Sequence, residues 1–360
     1  MSSSLIIAAL TLLPITTELP EDWRLSSSVS SLTYVDNNSI YDFVKGNEST
    51  YQVGENAFTF NEASSTAQYK NLAVSVFYRN EWFLNYSKDT MSLYGSTTNG
   101  DLIDSGKYYD LDLAINHISA KGIKLGYLYQ FNQFNFYFSA AYLEGQTLLV
   151  GNAKGNVALT ENCGDGFECY SGDLDLSYHY SEDELFDRRV DEPSSIYGYS
   201  MDIGGDWIIN EHWLASFFIQ DLYSEILWEY APNTVATATT ATTTIVDGKY
   251  KIDPVITGKE GNKNYKQILP TKYNMLISHQ MNQHSAYAQV FHANGATLTH
   301  IGYRFQQQES LYGVKYYPLQ EALGIEFSNH YIGVSVTSKP FAHEQTELFE
   351  VNFRLSIPFS

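Results

Sequence analysis

Apolar side chains occupy every second position in the segment that ends the chain. The alternating apolar residues are Phe349, Val351, Phe353, Leu355, Ile357 and Phe359, and polar or charged residues fill the positions between them. Because successive side chains of a β-strand point to opposite faces, this pattern predicts a strand with one apolar and one charged face. A soluble sheet would bury the apolar face, whereas a transmembrane barrel would turn it toward lipid and place the charged face in the lumen.

The same alternation recurs along the chain and predicts a series of hairpins. The clearest joins Ile123–Phe131 to Phe134–Tyr142 through a tight turn at Asn132 and Gln133. A second hairpin is predicted to turn at Arg79–Glu81. Further alternating runs are Trp23–Val35, Tyr197–Ile203, Trp213–Ile219, Tyr273–Met281, Ser285–His292, Thr299–Phe305, Leu311–Tyr317, Ala322–Phe327 and Tyr331–Thr337.

An amphipathic aromatic strand that ends one residue from the carboxy terminus resembles the terminal strand of bacterial outer-membrane β-barrels. In that class the closing strand ends in Phe and serves as an assembly signal; here Phe359 is followed by Ser360. The resemblance implies an all-β fold, a single transmembrane antiparallel up-and-down β-barrel, located in the bacterial outer membrane. It also implies outer-membrane lipid, lipopolysaccharide and the barrel assembly machinery as partners. In size and ending the chain also resembles solitary autotransporter-type barrels.

Such barrels have short periplasmic turns and long outer loops, and this asymmetry sets the expected strand number. If the terminal strand runs down into the periplasm, the predicted tight turns all lie on the periplasmic side; they are near Asn80, Asn132, Asn210, Asn282, Gln307 and Asn329. Counting on that basis predicts fourteen strands, if Tyr109–Ile118 and Leu174–Tyr180 are extensions above the membrane. The count becomes sixteen if both are wall strands and twelve if the short late strands merge. Within a barrel of residues 23–360, the predicted long surface loops are 36–69, 144–193 and 231–266.

Composition agrees with a barrel and excludes two other classes. The 360 residues include 29 Tyr and 20 Phe, as the aromatic girdles of a barrel require, and no apolar run reaches the eighteen residues of a membrane-spanning helix. A net charge of −20 argues against nucleic-acid binding, which needs an excess of Lys and Arg.

The amino terminus and the cysteines indicate export. Leu5–Leu13 has the length of a signal-peptide apolar core, so we interpret residues 1–22 as a signal peptide or its remnant, with a buried strand as the alternative. Cys163 and Cys169 are close enough in sequence to form a disulfide, which implies an oxidising compartment.

Neither a catalytic constellation nor a cofactor motif is evident. No stretch resembles the active sites of outer-membrane phospholipases or omptin proteases, so we predict that the protein is not an enzyme. His292 and His300 would oppose one another if a hairpin turned near Ala296, within reach of a shared zinc or copper ion. Two imidazoles at a wet rim are the more ordinary interpretation of the pair.

The phase of each strand predicts which charges face the lumen. With the apolar residues outside, the inward charges are Arg79, Lys124, Asp202, Arg304, Lys315, Glu326, Glu350 and Arg354. Such a set lines a channel if the lumen is open, or forms a core of ion pairs if it is closed. The inward phase of several glycines favours the open form, because they would leave space; they are Gly126, Gly198, Gly302, Gly313 and Gly324.

The sequence therefore favours a non-enzymatic outer-membrane channel for small polar solutes or ions. One alternative is a surface adhesion or assembly scaffold whose acidic loops bind a partner while the barrel anchors them. Another is a secreted soluble β-sandwich, which would bury the same apolar faces between two sheets.

Overall fold

The computed structural model describes residues 14, 23–45, 54–99, 107–160, 169–183, 193–240, 243–246, 249–252, 255–340 and 345–359. Within these ranges, fourteen strands form the wall of the barrel: β1 (Trp23–Val35), β2 (Asn56–Tyr69), β3 (Leu72–Tyr86), β4 (Tyr108–Phe131), β5 (Phe134–Thr160), β7 (Ser194–Ile208), β8 (Trp213–Thr239), β12 (Lys272–Met281), β13 (His284–Ala293), β14 (Ala296–Gln307), β15 (Ser310–Tyr317), β16 (Ala322–Ser328), β17 (Ile332–Ser338) and β18 (Leu348–Phe359). The remaining elements are β6 (Cys169–Tyr180), β9 (Thr243–Val246), β10 (Lys249–Ile252), β11 (Val255–Gln267), α1 (Ile40–Lys45) and α2 (Lys88–Asn99).

The wall is a closed antiparallel ring. Each strand pairs with the next wall strand in chain order, and β18 returns to pair with β1, with Trp23 opposite Phe359 and Tyr34 opposite Leu348. The predicted single barrel of fourteen strands is confirmed, and the soluble β-sandwich is wrong, because the sheet closes on itself instead of packing against a second sheet. Neither described helix is long and apolar enough to cross a membrane.

The outer face of the ring is apolar and the inner face is packed or polar. On β3, for example, Val76 is 55% exposed on the outside, whereas Phe77 points inward and is only 5% exposed. The same alternation holds on the terminal strand, where Phe353 is exposed and Ser356 is buried. A belt of exposed Val, Leu, Ile, Tyr and Phe around most of the ring is unfavourable in water and matches the hydrocarbon layer of a bilayer.

Three short turns at one end of the barrel contain the same kind of side-chain hydrogen bond. The first turn residue adopts a positive φ, and the inward glutamine two positions before it donates its side-chain amide to that residue's carbonyl oxygen. The three pairs are Gln68 with Lys70, Gln280 with Asn282, and Gln306 with Gln308. These bonds satisfy turn carbonyls at the barrel rim, which we call the short-turn end.

Three wall strands continue beyond the barrel at the opposite end. The upper parts of β4, β5 and β8 pair with β6 and β11 in the order β4-β5-β6-β8-β11, which we call the projecting sheet. Segment Tyr109–Ile118 is the upper part of β4 and Leu174–Tyr180 lies in β6, outside the ring. In this sheet the ring of His179 stacks on Tyr265 at 4.1 Å, and burial together with the neighbouring Lys263 lowers the pKa of His179.

The structure corrects one turn and the extent of the loops. Arg79–Glu81 is the middle of β3, and the chain turns instead at Lys70 and Asn71. The predicted loop 36–69 is shorter, since Asn56–Tyr69 is wall strand β2. Its outer face carries small and polar residues, so no apolar alternation marked it. The loops predicted at 144–193 and 231–266 contain the strands of the projecting sheet.

A matched pair of valine substitutions tests the membrane-facing belt. Val76 on the wall and Val255 on β11 are both exposed, at 55% and 41%. We expect Val76→Arg to lower the free energy of unfolding by about 2–4 kcal/mol, the cost of an arginine at mid-bilayer. Val255→Arg should leave it unchanged, because β11 lies outside the ring. Urea unfolding of the barrel in lipid vesicles measures both; equal effects would contradict a lipid-facing belt.

Candidate functional site

The lumen brings charged side chains from distant strands into one buried group. Its members, which we call the cross-barrel ion cluster, are Glu62, Arg79, Glu81, Lys124, Asp202, Asp221 and Lys272. They come from β2, β3, β4, β7, β8 and β12. All but Glu62 are less than 10% exposed. Because β3 is four strands from β8 around the ring and five from β12, these side chains meet across the lumen.

Arg79 is the centre of the cluster. Its guanidinium donates to both carboxylate oxygens of Asp221, at 2.9 and 3.0 Å, and lies 3.3 Å from Glu62. Lys272 Nζ completes the bridge, 2.6 Å from Asp221 and 2.9 Å from Glu81. Two cations therefore share two carboxylates, and Arg79, Glu81 and Asp221 are fully buried. Such an arrangement is stable only while each charge keeps its partner.

A bulge in β8 positions Asp221. Opposite Asp202 on β7, the register shifts so that Met201 pairs with Tyr223 while Ile203 pairs with Ile219. Asp221 has a φ of 56°, and its backbone amide donates to Asp202 at 3.0 Å. Bulges re-aim side chains where a regular strand cannot, and Asp tolerates the left-handed conformation better than most residues.

Asp202 links the bulge to β4 and β5. It accepts hydrogen bonds from Ser139 at 2.9 Å and lies 2.8 Å from Lys124 Nζ. Ser200 donates to Asp221. The cluster is thereby a continuous polar network that connects β2, β3, β4, β7, β8 and β12.

A second set of ion pairs lies along the later strands. Arg304 on β14 donates to Glu326 on β16 at 2.7 Å, and Lys315 on β15 lies 2.7 Å from Glu350 on β18. Tyr317 also donates to Glu350, at 3.0 Å. These pairs connect strands that are two or three positions apart around the ring, so they follow the wall and do not cross the lumen.

The glycines predicted to leave lumen space do not leave it. Side chains from neighbouring strands occupy the position that a Cβ would take at each of them. Tyr137 fills the space at Gly126, Ile226 and Leu143 at Gly198, Tyr287 at Gly302, Glu326 and Arg304 at Gly313, and Lys315 with Thr337 at Gly324. Here glycine admits a large inward neighbour, and the expected cavity is absent along these described strands.

Accessible space borders the strands around the β1–β18 seam. The inward side chains there are short, polar and half-buried; we call them the polar strip, and they are Ser26, Ser28, Ser30, Ser64, Thr66, Ser335 and Asn352. On the opposite side of the ring, inward Ser139, Ser200 and Ser216 are 7%, 1% and 4% exposed. The lumen is therefore packed against β4–β8 and accessible along β17, β18, β1 and β2.

An apolar cluster narrows the long-loop end. Phe58 lies 6.2 Å from Phe83 and 5.9 Å from Phe291, ring centre to ring centre, so β2 and β3 contact β13 across the mouth. The turn Asn294–Gly295 has two positive φ values, as a type I′ turn requires, and the Asn294 carbonyl accepts from Asn85 on β3 at 3.2 Å.

All eight charges predicted to face the lumen lie on the inner face. Three belong to the cross-barrel ion cluster, four belong to the second set of pairs, and Arg354 is exposed to the lumen. Their role in lining a conducting path stays a prediction.

Sequence reasoning missed four members of the cross-barrel ion cluster: Glu62, Glu81, Asp221 and Lys272. Glu81 shares the phase of Arg79 once β3 is one strand, but the bulge hides Asp221 from any periodic pattern.

The histidine pair and the cysteines have different outcomes. The hairpin turns at Asn294–Gly295, so His300 pairs with Gln289 and His292 with Thr297. His300 is buried inside, with its ring tilted against Tyr317 at 4.5 Å between ring centres, whereas His292 lies on the other face. The proposed metal pair is wrong, because a small displacement of the turn places the two rings on opposite faces. The predicted Cys163–Cys169 disulfide involves Cys163, which lies outside the described residues.

The closed ring, apolar belt and polar lumen define a transmembrane β-barrel. No family model matches the chain, and no curated protein matches its sequence. Solved structures similar to it include a mutant of the TodX monoaromatic hydrocarbon channel, with 10% identity, a TM-score of 0.46, and coverage of 99% of this chain and 94% of that one. The Ralstonia pickettii toluene transporter TbuX has 9% identity, a TM-score of 0.43, and coverage of 99% and 93%. A Rhodopseudomonas blastica porin has 10% identity, a TM-score of 0.23, and coverage of 93% and 99%.

Removing one member of the cross-barrel ion cluster should destabilise the barrel. Arg79→Gln leaves Asp221 and Glu81 with a single cation, so we expect the free energy of unfolding to fall by about 3 kcal/mol. The matched control is Lys121→Gln, which removes a cation from the half-exposed Lys121–Glu144 pair and should have no measurable effect. Urea unfolding in vesicles compares them, and a neutral Arg79→Gln would contradict a buried, mutually dependent cluster.

Proposed function

We propose that the protein is a non-enzymatic outer-membrane channel that passes small polar solutes or ions along the polar strip. The observation that carries the proposal is the asymmetry of the lumen: polar groups are buried on one side and accessible on the other. A path lined by hydroxyl and amide groups can replace part of the hydration shell of a polar solute. The cross-barrel ion cluster supports this role by keeping the opposite half of the lumen closed.

The chemistry of the lumen supports transport without catalysis. Asp202, Asp221, Glu326 and Glu350 are each bound to a lysine or arginine, and these ion pairs tie strands together. A general base must instead be available to a substrate proton. We therefore assign these carboxylates to the shape of the lumen. The adhesion scaffold stays a prediction for the acidic loops.

Outer-membrane lipid and lipopolysaccharide are the proposed environment of the apolar belt. We also propose that the barrel assembly machinery engages β18, on the resemblance of that strand to the closing strand of its class. In the folded barrel β18 is paired on both edges, by β17 and β1, so such engagement would precede closure.

Two adjacent serines allow a direct test of the conducting path. Ser28 faces the polar strip, whereas its neighbour Ser27 is exposed on the outer face. In planar bilayers we expect a charged thiol reagent to reduce the conductance of Ser28→Cys channels by about half or more, because the adduct occupies the path. Ser27→Cys and the unmodified protein should be unaffected, since lipid excludes the charged reagent.

Two results would contradict the channel. One is the lack of conductance steps from purified, correctly folded barrel, with folding verified by the change in gel mobility on boiling. The other is equal insensitivity of the two cysteine variants, which would place the path elsewhere than along β1.

A further inference from the structure

The inward cations of the wall divide into two groups. Seven lysine or arginine side chains point into the lumen: Arg24, Arg79, Lys124, Lys272, Arg304, Lys315 and Arg354. Five of them form ion pairs with inward carboxylates. Among the described residues, Arg24 and Arg354 contact no carboxylate. In a chain with a net charge of −20, two neighbouring cations that remain unpaired need a reason.

Arg24 and Arg354 lie on the two strands that close the barrel. Arg354 on β18 is opposite Ser28 on β1, and Arg24 is four residues before Ser28, toward the short-turn end. Both side chains point into the lumen from these two paired strands. On the other side of β18, Gly333 pairs with Arg354, and a Cβ there would lie 3.6 Å from Arg354 Nε. The arginine therefore lies over a position that carries no side chain.

Both side chains retain hydrogen-bonding capacity. Arg354 is exposed to the lumen, and Arg24 Nε is buried without a hydrogen-bond partner in the described structure. A buried donor without a partner is unfavourable, and a cation without a counter-charge on each of two neighbouring strands adds to that cost. An anion between them would relieve both costs. Guanidinium groups match the planar, two-oxygen geometry of carboxylate and phosphate better than any other side chain.

We propose that Arg24 and Arg354 form a binding site for small oxyanions, the carboxylate or phosphate group of a solute, at the short-turn end of the polar strip. The inference rests on the proposed channel, to which it adds a solute class. Ser26 and Ser28 on β1 carry inward hydroxyl groups along the stretch between Arg24 and the position opposite Arg354. Each of the other five lumen cations is paired with a carboxylate, so this arginine pair is where a permeating anion meets positive charge that is not already neutralised.

Binding can be measured without conduction. Calorimetric titration of the folded barrel in neutral detergent with inorganic phosphate, and separately with acetate, should detect binding. Arg24→Gln/Arg354→Gln should weaken it at least about tenfold. The matched control is Lys259→Gln/Lys263→Gln, which removes the same charge from β11 outside the ring and should bind as the unmodified protein does. Equal affinity in the arginine variant, or no binding to the unmodified barrel, would overturn the site.

A conservative variant separates charge from geometry. Arg354→Lys keeps the positive charge but loses the two-pronged donor, so its affinity should lie between those of the unmodified protein and the double variant. Because neither arginine pairs with a carboxylate among the described residues, removing them should not destabilise the barrel, and an unchanged shift in gel mobility on boiling verifies the fold. Loss of the barrel in both variants would instead assign the arginines a structural role and overturn the proposal.

Ion selectivity tests the arginine site separately from the proposed channel. Reversal potentials across a KCl gradient should show a preference for anions, and the double glutamine variant should shift toward cations. Conductance without any shift would reject the arginine site while the channel stands. Phosphate binding without conductance would reject the channel while the site stands.

Discussion

The salt bridges between Arg79, Asp221 and Lys272 determine the shape of the lumen. A ring of fourteen strands could enclose an open pore, but here a guanidinium on β3 reaches a carboxylate on β8 and shares it with an ammonium on β12. Burying these charges is tolerable only because each has a partner, and that requirement holds opposite walls together. The bulge at Asp221 is the backbone adjustment that makes the contact possible.

The consequence is a lumen with two unlike halves. Large side chains fill the half bounded by β4, β5, β7 and β8, where glycines such as Gly126 admit Tyr137. Serines and Asn352 leave accessible space beside the seam of β1 and β18. The proposed path, and the unpaired Arg24 and Arg354 at its short-turn end, both lie in that accessible half. The ion pairs of the filled half connect opposite walls, and the accessible half is where the proposed path lies.

Much of the fold was predictable from sequence, because lipid requires apolar residues at every second position. β18 and the β4–β5 hairpin follow that rule and were predicted from it. β2 escaped prediction because Ala63, Ser65 and Ala67 give it a weakly apolar outer face. The inward phase of Arg79 was also predictable, but its partner was not: Asp221 is 142 positions away and sits on a bulge that breaks the alternation. The inward position of the glycines was misleading, because a large side chain from a neighbouring strand occupies the space that each glycine leaves.

A double-mutant cycle between Arg79 and Asp221 tests most directly whether opposite walls are held by this contact. The free energies of unfolding in vesicles are compared for Arg79→Gln, Asp221→Asn, the double variant and the unmodified barrel. If the two side chains meet across the lumen, the double variant should lose less stability than the two single losses summed, by at least about 1.5 kcal/mol. Additive losses would show that the residues do not interact and that the lumen is not divided in this way.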